Sequence, residues 1–310
     1  MIDYIIPFFF LASGTVANRL ILNFWSPSLL VGIRMLISGI SLLGAAFYMQ
    51  GFGFLRRFNK QWPYLLFLAA LATFIPAFLK AYAYKHTLSS KVALINSLDP
   101  FFTAFYMYLL FGEKLTAKKW LGIAIAFSAS IFFALATNKG SSYELFGYFS
   151  LAELAAFGTV CFSRIGWIKV QELLKSGAFN VKEINGICMF FAGIYSLVLT
   201  GIFTPNDFVI ATNWSSPAFW KTLGFLAYTI VGGNIIGYSL YSKLLKRHSA
   251  TFVSLAGFTT PVFIYLLSWL VIGEPLYPSF IVASVVTFVG VIIFYHAEIK
   301  EALRTGSKAH

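Results

Sequence analysis

A run of polar residues interrupts one of the most apolar segments of this sequence. Residues 93–115 are hydrophobic almost throughout, yet Asn96, Ser97, Asp99 and Pro100 lie close together within them. A charge at the centre of a membrane helix costs about 2.5–3.5 kcal/mol, so Asp99 is expected to face a polar environment. Proline also frees a backbone carbonyl, which is tolerated beside protein or water but not beside lipid. The run therefore predicts that this segment borders a water-filled cavity.

Asp99 has two candidate roles at such a cavity, and the sequence leaves both open. It binds a cationic group of a solute, or it takes up and releases a proton that is coupled to solute movement. Asn96 lies three residues earlier, so its amide points to a neighbouring part of the same helix face. Both side chains are therefore candidate substrate-binding groups.

Further polar side chains fall inside apolar stretches, and they are candidates for the same site: Arg34, Lys80, Glu153 and Asn234. Lys80 is our preferred specificity residue, whereas Arg34 suits a structural ion pair and a substrate contact equally well. A cluster of cations favours anions by focusing the electrostatic field. A cavity that also contains Asp99 and Glu153 suits a zwitterion, so both ligand classes remain open.

Tyrosines near the ends of two apolar stretches give a weaker signal. Tyr82 and Tyr238 belong to a group, with Tyr84 and Tyr241, that is typical of an interfacial belt or of hydrogen bonds between helices. Lining a binding pocket is the alternative role. Arg164 lies near the end of its stretch, so we expect its head group to extend to the membrane surface.

The composition identifies the surroundings in which these residues must work. The chain of 310 residues is 59% hydrophobic and 11% charged, whereas soluble domains are about 25% charged. We therefore predict an all-α integral membrane protein, because a helix satisfies its own backbone in lipid. Stretches long enough to cross a bilayer number ten by our reading, at residues 4–23, 27–49, 62–84, 90–111, 119–137, 147–167, 184–203, 218–242, 249–272 and 277–297.

The net charge of +12 is better explained by topology than by nucleic-acid binding. Lys and Arg concentrate in alternate loops, and such loops face the cytoplasm. This predicts a multi-pass protein of the cell (inner) membrane with both termini cytoplasmic. The histidines lie near stretch ends or in the tail, and no HExxH motif or P-loop is present. We therefore expect no metal, no cofactor and no enzymatic activity; a membrane-embedded enzyme is the alternative class.

Internal repeats organise the chain into two halves. "GEKL" at 112–115 matches "GEPL" at 273–276, and "GIRMLISGI" at 32–40 matches "GICMFFAGI" at 186–194. We place the halves at 1–140 and 141–310, the second ending in a short cytoplasmic tail. Five helices per half is an odd number, so the halves are inverted, and a binding site is expected between them near the midplane. Candidate hinge or packing residues are Pro100, Pro261, Gly257, Gly232 and Gly233.

These blocks resemble the drug/metabolite transporter superfamily, in particular its ten-helix EamA-type members. The resemblance is carried by Pro27 and Arg34, by "SSKVALINSLDPFFTAFYMYLLFGEKLTAKKWLGI" at 89–123, and by "RHSATFVSLAGFTTPVFIYLLSWLVIGEPL" at 247–276. It implies alternating access, with a central cavity lined mainly by the first four helices of each half. The chain departs from the pattern at Ser13-Gly14, where Trp-Gly is usual.

The expected function is a secondary transporter for a small polar metabolite. The resemblance implies export of an amino acid or a related metabolite. The alternative is an importer or exchanger of an anionic metabolite of the nucleotide, S-adenosylmethionine or sugar-phosphate type, which the cluster of cations in the outer half of the protein favours. Protons are a candidate coupling ion, and the chain is expected to act in the lipid bilayer as a monomer or a homodimer.

Overall fold

A computed structural model describes residues 2–51, 53–112, 116–137, 150–211, 217–248, 253, 256–257 and 259–296. Part of the first repeated motif, the proposed boundary between the halves and the predicted cytoplasmic tail lie outside these residues. The secondary-structure elements of the described part are all helices, which confirms the all-α prediction. Its physical cause is the apolar composition, because a helix satisfies its backbone hydrogen bonds internally where lipid offers no partners.

The described part of the chain contains fourteen α-helices. They are α1 (Ile2–Ile21), α2 (Pro27–Gln50), α3 (Gly53–Ala69), α4 (Ile75–His86), α5 (Ser89–Asn96), α6 (Asp99–Phe111), α7 (Ala117–Thr137), α8 (Leu151–Lys175), α9 (Val181–Phe203), α10 (Asp207–Ala211), α11 (Pro217–Tyr228), α12 (Ser239–Arg247), α13 (Thr259–Leu267) and α14 (Pro278–Phe294). Three π-helical segments continue α3, α11 and α13, at Ala70–Phe74, Thr229–Tyr238 and Ser268–Ile272.

Five helical spans of the described part are long and apolar enough to cross a membrane. They are Pro27–Met49, Arg57–His86, Leu151–Lys175, Val181–Phe203 and Phe219–Arg247. Shorter apolar helices accompany them at Ile5–Ile21, Thr259–Ile272 and Pro278–Phe294. The count of ten spans therefore remains a prediction.

The fourth predicted helix is interrupted where its polar residues lie. The helix α5 ends at Asn96 and α6 begins at Asp99, so the uniform helix face expected across this segment is broken. Pro100 occupies the first turn of α6, where the missing proline N–H would have no helical acceptor in any case. The interruption releases Asn96 and Asp99 from one regular helix at the position where both approach the centre of the protein.

Two helices of opposite halves pack together through glycines. A Cβ atom on Gly39 of α2 would overlap the backbone of Phe190, and a Cβ atom on Gly193 of α9 would overlap the backbone of Leu36. Small residues allow such close helix contacts in membranes. The repeated nonapeptides align Gly39 with Gly193 and Leu36 with Phe190, so the repeat exchanges one contact for the other. The same relation holds for the contacts Gly32–Leu197 and Gly186–Leu43.

These paired contacts define the relative direction of α2 and α9. Residue numbers rise along one helix as they fall along the other, so the two helices run antiparallel about a local two-fold axis. This is the arrangement that an inverted repeat predicts. A second cross-half pair, α7 and α14, is in contact where the Gly122 and Gly290 backbones meet.

Candidate functional site

A central cavity of about 180 Å³ lies between elements of both halves. Its described lining comes from α1, α2, α4, α5, α6, α8, α12 and α13, together with the first two π-helical segments. No described residue of α7 or α14 lines it, as the resemblance implied. The helix α9 does not line it either, because its glycine face is occupied by α2. The resemblance had implied a contribution from that helix.

Both π-helical segments of the longer spans reach this cavity. Ala72 and Thr73 line it from the first segment, and Gly233, Asn234 and Tyr238 line it from the second. Such wide turns disturb the regular hydrogen-bond ladder of a helix and often mark functional sites. The cavity is therefore built where two corresponding helices of the repeat depart from ideal geometry.

Asp99 provides the carboxylate of the described cavity lining, and it forms an ion pair. Its Oδ1 atom lies 3.3 Å from Nε of Arg164, and Nη1 of Arg164 donates to the Tyr241 hydroxyl at 3.2 Å. The Arg164 side chain is only 11% exposed, so the expectation that it extends to the membrane surface is wrong. Its two partners hold the head group inside the protein instead.

Arg34 and Lys80 also line the cavity, and neither forms an ion pair with a described residue. The Arg34 side chain makes no hydrogen bond or ion pair with the described residues, and its Nε atom is buried without a partner. The Lys80 ammonium lies 5.9 Å from the centre of the Tyr84 ring, and no carboxylate of the described part is within ion-pair distance. Both cations therefore face the cavity without a short ionic contact to the described residues.

Amide groups at the cavity are incompletely satisfied as well. Nδ2 of Asn96, Oδ1 of Asn234 and Oδ1 of Asn18 are buried without a hydrogen-bond partner in the described structure. The other amide atom of Asn234 donates to the Ser38 hydroxyl at 2.9 Å, which fixes the orientation of the group. An unsatisfied buried polar atom costs about 1–3 kcal/mol, so these atoms are expected to bind water or a solute.

Aromatic rings form one wall of the cavity. Trp167 lies 5.8 Å from Tyr238 at an interplanar angle of 32°, and 5.1 Å from Tyr241 at 82°. The sequence singled out Tyr238 and, with less emphasis, Tyr241, but it missed Trp167. Nothing in the apolar pattern around Trp167 distinguishes a ring that faces a cavity from one that packs in a core.

Glu153 and Tyr82 do not line the cavity. Glu153 is fully buried and accepts hydrogen bonds from Nζ of Lys91 at 2.9 Å and from the backbone of Ser150 at 3.0 Å. It closes a capping box that begins α8, which gives it a structural role. The Tyr82 ring instead lies 4.5 Å from the ring of His86. Both therefore differ from the expectation that they contact substrate.

Some of the candidate hinge residues line the cavity and others do not. Gly257, Pro261 and Gly233 line the cavity, whereas Pro100 and Gly232 do not. A Cβ atom on Gly14 would lie 3.0 Å from the Gly233 Cα atom, so α1 packs directly on the second π-helical segment. Within the described residues, no group of His, Cys, Asp or Glu is arranged to hold a metal ion.

Comparisons with known proteins cover nearly the whole chain. The model of the EamA-like transporter family matches residues 3–135 and 150–296. A protein of Chlamydia muridarum named S-adenosylmethionine/S-adenosylhomocysteine transporter is 26% identical over 94% of this chain and 90% of its own length. A Chlamydia trachomatis protein of the same name is 25% identical over 89% and 83%.

Two further similarities are more distant. A WAT1-related chloroplastic protein of Arabidopsis thaliana is 23% identical over 93% of this chain and 67% of its own length. A solved crystal structure superposes with a TM-score of 0.66 at 16% identity, covering 94% of this chain and 93% of that one. The structural match supports the fold and carries no information about a solute.

Proposed function

This chain belongs to the EamA-like transporter family, and we propose that it moves S-adenosylmethionine, S-adenosylhomocysteine or a closely similar amino-acid-bearing nucleoside across the membrane. Two relatives that match 94% and 89% of the chain carry these solutes in their names. An amino-acid exporter finds no comparable support, so we prefer the alternative that includes solutes of the S-adenosylmethionine type. The chain is a multi-pass membrane protein, and alternating access between inverted halves is the proposed mechanism.

The observation that carries this proposal is the presence of complementary groups in one cavity. Arg34 and Lys80 offer unpaired cations for a carboxylate, and Asn96 and Asn234 offer amide atoms for ribose hydroxyls or ring nitrogens. Trp167 offers a flat surface for a purine, because stacking on an aromatic ring is worth about 1–3 kcal/mol per base. A solute with a carboxylate, a sugar and a purine uses all three kinds of group.

An anionic nucleotide is the second candidate solute. Three cationic side chains, Arg34, Lys80 and Arg164, line the cavity beside the single acid Asp99 in the described part. This excess of positive charge favours an anion. The two solute classes differ in their acidic group, since a nucleotide carries a phosphate where the amino-acid-bearing nucleosides carry a carboxylate.

Thermal unfolding of the purified protein in detergent tests the solute directly. A ligand that binds only the folded state raises the apparent Tm as its concentration exceeds the Kd. We expect S-adenosylhomocysteine and S-adenosylmethionine to raise the Tm, and free amino acids and sugar phosphates to have no effect. Uptake of labelled S-adenosylmethionine into vesicles containing the protein then establishes transport. Stabilisation by nucleotides or amino acids alone would reject the proposed solute.

A further inference from the structure

Every cationic group that enters the cavity meets one acid in the described lining. That acid is Asp99, and the structure shows it facing Arg164. A solute ammonium therefore has to compete with a guanidinium for the same carboxylate. The competition makes this ion pair part of solute recognition as well as part of the protein's own packing.

The geometry of the pair favours an exchange of partners. The Nε atom of Arg164 approaches Asp99 at 3.3 Å but lacks hydrogen-bond geometry, and charge-assisted bonds of this kind are normally near 2.7–2.9 Å. The Asp99 side chain remains 31% exposed. Arg164 keeps a second partner in the Tyr241 hydroxyl, which can hold the guanidinium while Asp99 binds another cation.

We infer that the α-amino-acid group of the solute replaces both halves of this ion pair. The solute ammonium binds the Asp99 carboxylate, and a solute carboxylate compensates the guanidinium of Arg164 or the neighbouring cations Arg34 and Lys80. This inference rests on the proposed function, because it requires a solute that carries an amino-acid group. Breaking a buried ion pair is strongly unfavourable unless each charge finds a new partner, and a zwitterion supplies both at once.

Asp99 is then the residue that selects solutes carrying an α-ammonium group. A solute that keeps the purine, the sugar and the carboxylate but lacks the ammonium cannot displace Arg164 from Asp99. The protein therefore discriminates against deaminated analogues by charge, since an analogue without the ammonium leaves this contact unused.

The experiment compares two ligands across three variants by equilibrium binding to the full chain in detergent. The ligands are S-adenosylhomocysteine and its analogue in which hydrogen replaces the α-ammonium. The variants are Asp99→Asn, Arg164→Gln and the control Glu172→Gln. Glu172 is the exposed member of an ion pair with Lys169 on the same helix, outside the cavity lining. The ratio of the two Kd values isolates the contribution of the ammonium from that of the rest of the ligand.

Wild-type protein and Glu172→Gln are expected to favour S-adenosylhomocysteine by at least about tenfold, since hydrogen bonds to charged groups contribute at this level. Asp99→Asn should bring the ratio close to one, with little change for the deaminated analogue. Arg164→Gln should increase the ratio, because it removes the competing guanidinium. A purely structural ion pair predicts instead that either substitution weakens both ligands equally, so the Kd ratio stays at its wild-type value.

The possible failures are distinguishable. If both ligands bind the wild type and Asp99→Asn leaves their ratio unchanged, the partner exchange is wrong while the proposed solute class stands. If neither ligand binds the wild type and a nucleotide does, the proposed function is wrong and the inference is rejected with it. Folding of each variant is checked by its thermal unfolding transition, and the Kd ratio within one variant is independent of the fraction of folded protein.

Discussion

Ser89 and Glu274 are 185 residues apart in the chain. The Glu274 carboxylate accepts hydrogen bonds from both the hydroxyl and the backbone N–H of Ser89. The hydroxyl donates to Oε1 of Glu274 at 2.6 Å, and the backbone N–H lies 3.1 and 3.2 Å from the two carboxylate oxygens. Ser89 is the first residue of α5, so a carboxylate from the second half caps a helix of the first. A negative charge at a helix N-terminus is favourable for the same reason that anions bind there.

Substitution of Glu274 by Ala is expected to destabilise the protein by about 1–2 kcal/mol, which is the usual effect of losing a helix cap. Thermal unfolding should show the loss. The variants Ser89→Ala and Glu274→Ala should be non-additive, because both remove the hydrogen bond between the Ser89 hydroxyl and Glu274. Strictly additive effects would show that the two residues stabilise the structure independently.

Lys80→Met and Arg34→Gln are expected to weaken ligand binding more than they weaken folding. Neither head group forms an ion pair in the described structure, so removing the charge breaks no such contact. We expect the apparent Tm to stay close to that of the wild type while the Kd for S-adenosylhomocysteine rises about tenfold for each, the size typical of a charged hydrogen bond. Unchanged affinity in both variants would falsify the assignment of a carboxylate site.

Lys91→Met should affect stability and leave binding intact. Lys91 and Glu153 form an ion pair that is almost fully buried, with side-chain exposures of 5% and 0%, and removing one partner of such a pair typically costs about 3–5 kcal/mol. The double variant Lys91→Met/Glu153→Gln removes both charges and should recover part of the loss. Chemical denaturation measures both effects. A raised Kd for S-adenosylhomocysteine in the folded variants would indicate that Glu153 contributes to the binding site.

Asp99→Asn also separates the two roles of Asp99 that the sequence leaves open. If Asp99 binds the solute ammonium, affinity should fall at every pH from about 5 to about 7, a range in which an α-amino group is mostly charged. If Asp99 carries a coupling proton, the variant should lose pH-driven accumulation in vesicles and keep solute exchange. Transport indistinguishable from that of the wild type across this range excludes both roles and leaves Asp99 as a structural partner of Arg164.

The inverted arrangement predicts the outcome of single-cysteine labelling. Lys118 follows the first repeated motif near the start of α7, Leu276 ends the second motif, and both residues are exposed. An impermeant thiol reagent should reach these two positions from opposite sides of the membrane. Cys161 and Cys188 are replaced by Ser in the background. Labelling of both positions from one side contradicts the inverted repeat.

Sequence reasoning predicted which polar residues line the cavity more successfully than it predicted their interaction partners. Arg34, Lys80, Asn96 and Asp99 all line the cavity, because an unfavourable side chain in an apolar run needs a polar surrounding. The partners of Arg164 were not predictable from local pattern. Its neighbours Asp99 and Tyr241 come from α6 and α12, so their meeting depends on how distant helices pack.

Glu153 was predicted to be a binding residue, and its partner was also not predictable from the sequence. A buried acid in an apolar stretch satisfies the criteria for a functional group, and Ser150 three residues earlier offered a capping-box signal beside it. That signal was local and readable, but the ion pair with Lys91 joins α8 to α5 across the halves. Composition cannot distinguish an acid that faces a cavity from one that faces another helix.

The glycine contacts between α2 and α9 have a consequence for the energy of the transport cycle. A backbone built from two exchangeable halves would make the two access states equal in free energy. The repeat does not exchange the charges, since the nonapeptides align Arg34 with Cys188 and the "GEKL" and "GEPL" motifs align Asp99 with Thr260. In the proposed alternating-access cycle, Arg34 and Asp99 therefore stay with the first half in both states and meet a different environment in each. We expect the empty carrier to rest with its cavity open to one preferred side, and the difference in free energy between the two states to set the step that limits its return.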